Sequence, residues 1–229
     1  MATLKDFDRL KASISLFLTR PSLWGPSLIP VVLSFLIYFF VGKSLIETFK
    51  SLSFFSFDSY GAIAWVLSGV VMAALLYLSF LPVAILLFGF IGGYLSEKTL
   101  KIKKAGVILP STHWKQVFFM ELKKFLFFSC LSSFGLLLGF IPIFTPIVYI
   151  LGVFAALYFF LEYPCSVFQW QLKEILQFIG KNKIKNFIRG VVASFVLTVP
   201  ILNILVIPVG IIFFTLVVAE EGNQVTTSP

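Results

Sequence analysis

The thiols of Cys130 and Cys165 and the imidazole of His113 are the side chains best suited to nucleophilic or metal chemistry. His113 is the only histidine, and no Cys, Asp or Glu stands at ligand spacing from it. The two cysteines lie in or next to apolar runs, which indicates small packing residues and no disulfide framework. No Gly-rich phosphate loop and no nucleophile–base arrangement accompanies them. The sequence therefore predicts no catalytic residues, no metal site and no cofactor, and an enzyme is not expected.

The sequence also carries an excess of positive charge. It has 18 Lys and Arg and 10 Asp and Glu, which give a formal net charge of +8. The bases flank apolar runs, a pattern typical of cytoplasmic anchoring, so no nucleic-acid partner is expected. Residues 97–124 hold seven lysines against Glu97 and Glu121. The positive-inside rule predicts that this segment is cytoplasmic, and two spans before it would put the N-terminus on the same side.

The elements that carry these charges follow from long uncharged runs. Hydrophobic residues make up 59% of the 229 positions and charged residues 12%, and four runs carry no charge: residues 21–42, 59–96, 125–161 and 190–219. Each run exceeds the roughly 20 apolar residues that cross a ~30 Å hydrocarbon core. The sequence predicts an all-α integral membrane protein with the lipid bilayer as its first partner, built as one membrane domain over residues 1–229.

The first two runs are predicted to be transmembrane helices at residues 27–46 and 60–96. The second run has 38 uncharged residues, about 57 Å of helix, so it must tilt or kink, with Pro82 as the expected kink.

The last two runs are predicted to be half-penetrating helical hairpins at residues 125–161 and 187–219. Paired prolines lie at their centres and force a turn inside apolar sequence, and the tip residues are Pro142, Pro146, Pro200, Asn203 and Pro208. The second run then divides into pieces of roughly 10 and 12 residues, which are too short to cross. Irregular backbone at membrane depth needs surrounding protein or a water-filled cavity, so a homo-oligomer is expected. The tips are either ion-binding sites or tight packing turns.

Two amphipathic helices complete the predicted architecture, at residues 1–20 and 164–186, with a tail at residues 220–229. Both helices place apolar residues on one face at spacings of three and four, which favours a position in the membrane interface. A basic cluster lies at and just beyond the end of the second helix, and it either faces lipid headgroups or forms an anion-attracting vestibule: Lys181, Lys183, Lys185 and Arg189.

The order of these motifs resembles the CysZ-type sulfate permeases, within the etoposide-induced-protein domain family. The resemblance rests on the Pro21-x8-Pro30 span, the hairpin that ends in Leu161-Glu162-Tyr163-Pro164, and the final Pro200-x2-Asn203-x4-Pro208 hairpin. It runs from about Phe7 to Val218. It implies a bacterial inner-membrane, multi-pass oligomer that takes up sulfate for cysteine synthesis.

The resemblance also implies where an anion would bind. In the family, the stretch after the first proline usually reads Gly-Leu-Arg-Arg, and its arginines are associated with sulfate. The aligned residues here are Ser22, Leu23, Trp24 and Gly25, so both arginines are absent. Arg20, just before Pro21, is the nearest guanidinium, and a dianion leaving water needs charge-assisted hydrogen bonds. The candidate substrate-binding residues are therefore Arg20 and residues 22–25.

Three functions stay open on the sequence. An anion permease, sulfate first, is favoured by the resemblance and the paired hairpins. A non-transporting membrane assembly or lipid-interacting module is favoured by the missing arginine pair and the two amphipathic helices. A permease subunit that needs an ATPase partner is the third, although no coupling motif is recognisable. For a transport role, the sequence predicts that Arg20→Ala lowers anion affinity more than Lys50→Ala.

Overall fold

The computed structural model describes residues 2–51, 87–103, 141–198 and 200–222, together with short pieces between 119 and 138. Within these residues the structure is all helical, without strands. Six helices are bounded in full, and we number them in chain order: α1 Ala2–Thr19, α2 Pro21–Ser51, α3 Thr145–Val167, α4 Leu172–Lys181, α5 Lys183–Thr198 and α6 Pro200–Glu221. A further helical segment covers residues 87–102. Most of the predicted second span and of the basic segment 97–124 lies outside the described residues.

Among the described residues, two helical stretches are long and apolar enough to cross a membrane, Pro21–Ser44 and Pro142–Val167. Only 18% and 28% of the positions in their most apolar windows are buried within the protein. The first stretch overlaps the predicted span at 27–46. The second is one arm of the first predicted hairpin, so a single arm of that hairpin is long enough to cross.

Helix α2 begins at Pro21, six residues before the predicted start of the first span, and it contains Pro26 and Pro30. The predicted span began at residue 27, after Pro26, whereas the helix is continuous from Pro21 through Pro26. Pro21 occupies the first turn, where a missing N–H costs nothing. Pro26 leaves the carbonyl of Ser22 without its usual helical donor, and the Tyr94 hydroxyl donates to that oxygen at 3.4 Å.

A turn lies at the first pair of predicted tip prolines, Pro142 and Pro146. Pro142–Phe144 forms a 3-10 turn that leads directly into α3, with Pro146 in the first turn of that helix. A Cβ built on Gly135 would lie 3.4 Å from Cγ1 of Val148, so these two residues lie close together on either side of the turn. The tip residues 141–147 are all exposed.

The predicted second hairpin corresponds to helices α5 and α6, and its predicted division into pieces of roughly 10 and 12 residues is wrong. Helix α5 has 16 residues and α6 has 22, and α6 is therefore about 33 Å long. Pro208 lies inside α6 and is buried next to Ile207, whereas Pro200 begins the helix. One proline removes one hydrogen bond, a loss that packing of neighbouring side chains can offset. Helix α6 is therefore not divided into short pieces, and its length does not indicate half-depth penetration.

The predicted amphipathic helix at residues 164–186 is divided among three helices. Helix α3 continues through Pro164 to Val167 and ends where the Trp170 amide donates to the carbonyl of Cys165 at 2.9 Å. Gln169 adopts a φ of 59° there, the left-handed conformation of a helix C-terminal motif. The Glu174 carboxylate accepts from the Gln171 amide at 2.6 Å, which fixes the start of α4. The amphipathic residues therefore form the separate ten-residue helix α4.

The core lies at one end of the helices. The second half of α3 from Val153 onward, the second half of α6 and residues 88–100 supply most of the fully buried apolar side chains. Helices α3 and α5 approach closely at Gly190, where an added Cβ would lie 2.9 Å from Cγ1 of Val153 and 3.0 Å from its carbonyl oxygen. Residues 141–151, which form the first tip and the start of α3, are mostly apolar and exposed, as expected for a surface that meets lipid or another protein.

Candidate functional site

The predicted anion-binding residues lie at the junction of α1 and α2, and we call residues 20–25 the junction. Arg20 separates the two helices, and its carbonyl accepts from the amides of Leu23 at 2.8 Å and Trp24 at 3.4 Å. The Arg20 side chain is exposed and forms no ion pair with any of the described residues. The junction therefore presents one available guanidinium beside the first turn of a helix, where the helix dipole also favours an anion.

The other junction residues divide between packing and surface. Leu23 is fully buried in the core, so it anchors the junction and cannot contact a solvated anion. Trp24 is 37% exposed, and Ser22 is partly exposed. A Cβ built on Gly25 meets no atom within 4 Å. The position that carries an arginine in the resembled family is therefore open enough for a longer side chain.

The hairpin-tip candidates do not lie together in one place, although Leu23 of the junction and Ile207, the neighbour of Pro208, belong to the same buried apolar cluster. Pro142 and Pro146 lie on the exposed first tip. Pro200 and Asn203 lie in the first turn of α6, and Pro208 lies eight residues beyond Pro200, in the buried half of the helix. Pro208 is therefore not a tip residue, which corrects the prediction.

A charge cluster that the sequence argument missed lies between α1, α5 and α6. We call it the clasp, and it consists of three cations and three carboxylates: Asp6, Arg9, Lys185, Arg189, Glu220 and Glu221. Its formal charge is zero. The side chains of Arg9 and Arg189 are only 8% and 4% exposed, so both guanidinium groups depend on these partners.

Arg189 holds two helices at once. Its Nε and Nη2 donate to the two oxygens of Asp6 at 3.0 and 2.7 Å. Its Nη1 and Nη2 donate to the two oxygens of Glu221 at 3.0 and 2.9 Å. Both contacts are bidentate, the geometry that a guanidinium makes best. Asn186 supports it, accepting from Arg189 Nη1 at 3.0 Å and donating to the carbonyl of Phe178 at 3.0 Å.

Arg9 completes the contacts on the side of α1. Its Nε and Nη2 donate to Oε2 of Glu220 at 2.9 and 2.7 Å, and its Nη1 donates to Asp6 at 2.8 Å. Burial alone would raise the carboxylate pKa values, but the surrounding cations outweigh it. The net pKa of Asp6 is lowered, and that of Glu221 is lowered to about 2.

The clasp corrects two sequence-based expectations. Glu220 and Glu221 were assigned to a tail at 220–229, yet both belong to α6. Of the basic cluster after residue 180, Lys185 and Arg189 bind carboxylates, whereas Lys181 and Lys183 are exposed. The sequence did contain one signal for the clasp. Arg189 directly adjoins an apolar run, and an ionisable side chain close to the membrane interior needs an oppositely charged or hydrogen-bonding partner.

Known proteins resemble this chain over most of its length. Residues 9–208 match the family model described as sulfate transporter CysZ/etoposide-induced protein 2.4. A sulfate transporter CysZ of Pseudomonas aeruginosa is 24% identical over 226 residues, which cover 90% of this chain and 91% of the relative. A sulfate transporter CysZ of Pseudomonas fluorescens is 25% identical over 181 residues, which cover 74% of this chain and 72% of the relative.

Proposed function

Because this chain belongs to the sulfate transporter CysZ/etoposide-induced protein 2.4 family, we propose that it is a membrane permease for a small inorganic anion, with sulfate as the first candidate. The observation that carries the proposal is the family match over residues 9–208, which includes the junction, the whole first predicted hairpin and the second predicted hairpin as far as Pro208. The family takes its name from a transporter and not from an enzyme class.

The proposed setting is the bacterial inner membrane, crossed more than once, with the N-terminus and residues 97–124 in the cytoplasm. The two long apolar helices support membrane insertion, and the lysine excess of residues 97–124 supports the orientation. The outer face of α5 also supports membrane insertion. Arg189 and Asn186 face the protein interior, whereas the exposed side chains of this helix include five large apolar residues: Ile184, Phe187, Ile188, Val192 and Phe195. A helix in water would place these groups the other way round.

The proposed assembly is a homo-oligomer. Ile143 at the first hairpin tip is 76% exposed, and Ile147, Tyr149, Ile150 and Leu151 follow it on the open part of α3. Non-helical backbone at membrane depth is tolerated where protein or a water-filled cavity surrounds it. Neighbouring copies of the chain would provide that surrounding. Crosslinking in membranes followed by mass determination would test this assembly.

The proposed anion contact is the junction, with Arg20 as the charged group and the first turn of α2 as the source of amide dipoles. Sulfate is a dianion, and a single exposed guanidinium gives it fewer charge-assisted hydrogen bonds than an arginine pair would. The junction therefore fits a low-affinity contact that an anion enters and leaves readily. A permeation path needs this property more than it needs tight binding.

Radiolabelled sulfate influx into proteoliposomes tests the proposal directly. The folded native chain should exceed empty vesicles, and Gly25→Arg should raise the apparent sulfate affinity severalfold, because it adds a guanidinium beside the junction. Gly42→Arg is a matched control, since Gly42 lies in the same helix and its Cβ also meets nothing within 4 Å. Absence of influx in both the native chain and Gly25→Arg, in folded preparations, would exclude a sulfate permease.

A second candidate is a non-transporting membrane assembly or lipid-interacting module of the same fold. The observation that favours it is the composition of the junction, where Trp24 and Gly25 stand in place of the family's arginines. Stoichiometric co-purification of a partner, together with no flux of sulfate, phosphate or chloride, would support this function over transport.

A further inference from the structure

The cations of the clasp converge on one carboxylate oxygen. Oε1 of Glu221 accepts from Arg9 Nη1 at 2.6 Å, from Lys185 Nζ at 2.6 Å and from Arg189 Nη2 at 2.9 Å. The other oxygen, Oε2, accepts from Arg189 Nη1 at 3.0 Å. One carboxylate thus lies in a cradle of three cationic side chains contributed by two helices.

Such a cradle has the donor set of an oxyanion site. Guanidinium groups bind the paired oxygens of carboxylates, sulfate and phosphate with the same bidentate geometry, and an ammonium adds a compact point charge. Low exposure of Arg9 and Arg189 strengthens each contact, because water competes less there. We infer that Arg9, Lys185 and Arg189 form a second oxyanion site, for sulfate or phosphate, which Glu221 occupies as an internal ligand.

The position of Glu221 makes it a replaceable occupant. It is the last residue of α6, and a carboxylate at a helix C-terminus is disfavoured by the helix dipole. The cradle, and not the helix, therefore holds this side chain in place. Asp6 and Glu220 retain their own contacts with Arg189 and Arg9, so removal of Glu221 leaves the remaining clasp with a formal charge of +1. That charge attracts an external anion into the vacated position.

This inference goes beyond the proposed function, since it concerns anion binding at residues that the junction does not share. The site also holds helices together, because Glu221, at the end of α6, binds Arg9 of α1. An external oxyanion that takes the place of Glu221 would remove one of the two contacts that join the end of α6 to Arg9 of α1, and the Glu220–Arg9 contact would remain. The inference does not require that the chain transports anything.

Equilibrium binding of radiolabelled sulfate to the purified full-length chain in detergent tests the inference. The native chain and Glu221→Ala are compared at constant ionic strength, and phosphate and chloride serve as competitors. We expect Glu221→Ala to bind one more sulfate per chain than the native protein, with phosphate competing and chloride competing at least tenfold less well. Glu97→Ala is the matched control, since Glu97 pairs only with the exposed Lys101 among the contacts described, and it should add no site.

A second pair of variants makes the test independent of simple loss of folding. Glu221→Ala combined with Arg189→Gln should lose the added site, and Glu221→Gln, which removes the charge but still fills the position, should bind the added sulfate more weakly than Glu221→Ala. If Glu221→Ala folds only when sulfate or phosphate is present, that rescue also supports the site. An unchanged sulfate stoichiometry in both Glu221→Ala and Glu221→Gln would overturn the inference. Because the measured quantity is a difference from the native chain, absence of sulfate flux in the native chain would leave this result intact.

Discussion

The clasp and the junction both contain arginines, yet their guanidinium groups are in opposite states. In the clasp, Arg9 and Arg189 are nearly buried and each binds two or more carboxylate groups. At the junction, Arg20 is exposed and pairs with none of the described residues. The same residue type thus fixes helices together in one region and remains available to a ligand in the other. Burial and the supply of carboxylates decide between these roles.

Removal of Arg189 is the strongest test of this contrast. Arg189→Ala leaves Asp6 and Glu221 without their bidentate donor, and we expect the free energy of unfolding to fall by about 3–5 kcal/mol. Unfolding by denaturant in a fixed detergent measures the loss. Lys101→Ala, which removes an exposed pair with Glu97, should cost only ~0–1 kcal/mol. Equal losses in the two variants would show that the clasp is no more structural than a surface ion pair.

Acid should weaken the clasp next. The pKa of Glu221 is lowered from its ordinary 4.5 to about 2, so its contribution is fully present above pH 4.5 and is lost as the pH falls toward 2. The loss is on the order of 3 kcal/mol, and the lowered pKa of Asp6 adds to it in the same direction. Thermal unfolding recorded between these pH values measures it. Glu221→Ala should flatten the acid limb and Glu97→Gln should leave it as in the native chain; an unchanged limb in Glu221→Ala contradicts the assignment.

The close approach beside the clasp gives a smaller effect. Gly190 lets α5 lie against the backbone of Val153, next to Arg189, and an added Cβ would come within 3.0 Å of that carbonyl oxygen. Gly190→Ala should therefore destabilise the protein by about 1–2 kcal/mol through displaced packing. Gly180→Ala is the control, since its Cβ meets nothing within 4 Å, and it should stabilise α4 by roughly 0.5–1 kcal/mol. If Gly190→Ala and Gly180→Ala change the free energy of unfolding in the same direction, the close approach of α5 to α3 does not explain the effect at Gly190.

The junction should show the reverse pattern, with little effect on stability and a measurable effect on ligand. Arg20→Ala is expected to change the free energy of unfolding by no more than ~0.5 kcal/mol. Sulfate affinity should fall roughly tenfold, the worth of one charge-assisted hydrogen bond. Equilibrium binding in detergent measures it, with Lys43→Ala in the exposed part of the same helix as the control. If both variants bind sulfate like the native chain, Arg20 lies outside the anion site.

Patterns confined to single segments were readable from the sequence, and patterns that join distant segments were not. Uncharged runs longer than a bilayer crossing predicted an all-helical protein, and Pro142 marked a turn because a proline at the start of a helix leaves a local signature. Pro26, Pro30, Pro164 and Pro208 resemble it in sequence but lie inside helices. Whether a proline ends a helix depends on the neighbours that offset one lost hydrogen bond, and Tyr94 offers its hydroxyl from 72 residues away.

The candidate sites divide in the same way. The junction could be named from residue order and from resemblance, since its residues are consecutive. The clasp brings Asp6 and Arg9 against residues 183 and 211 positions later in the chain, a separation that helical periodicity does not encode. By itself the sequence determined that this chain is helical, apolar and suited to a bilayer, because composition and run length fix the preferred solvent. Only the tertiary structure decided which charges are neutralised and which remain available, because that depends on which helices meet.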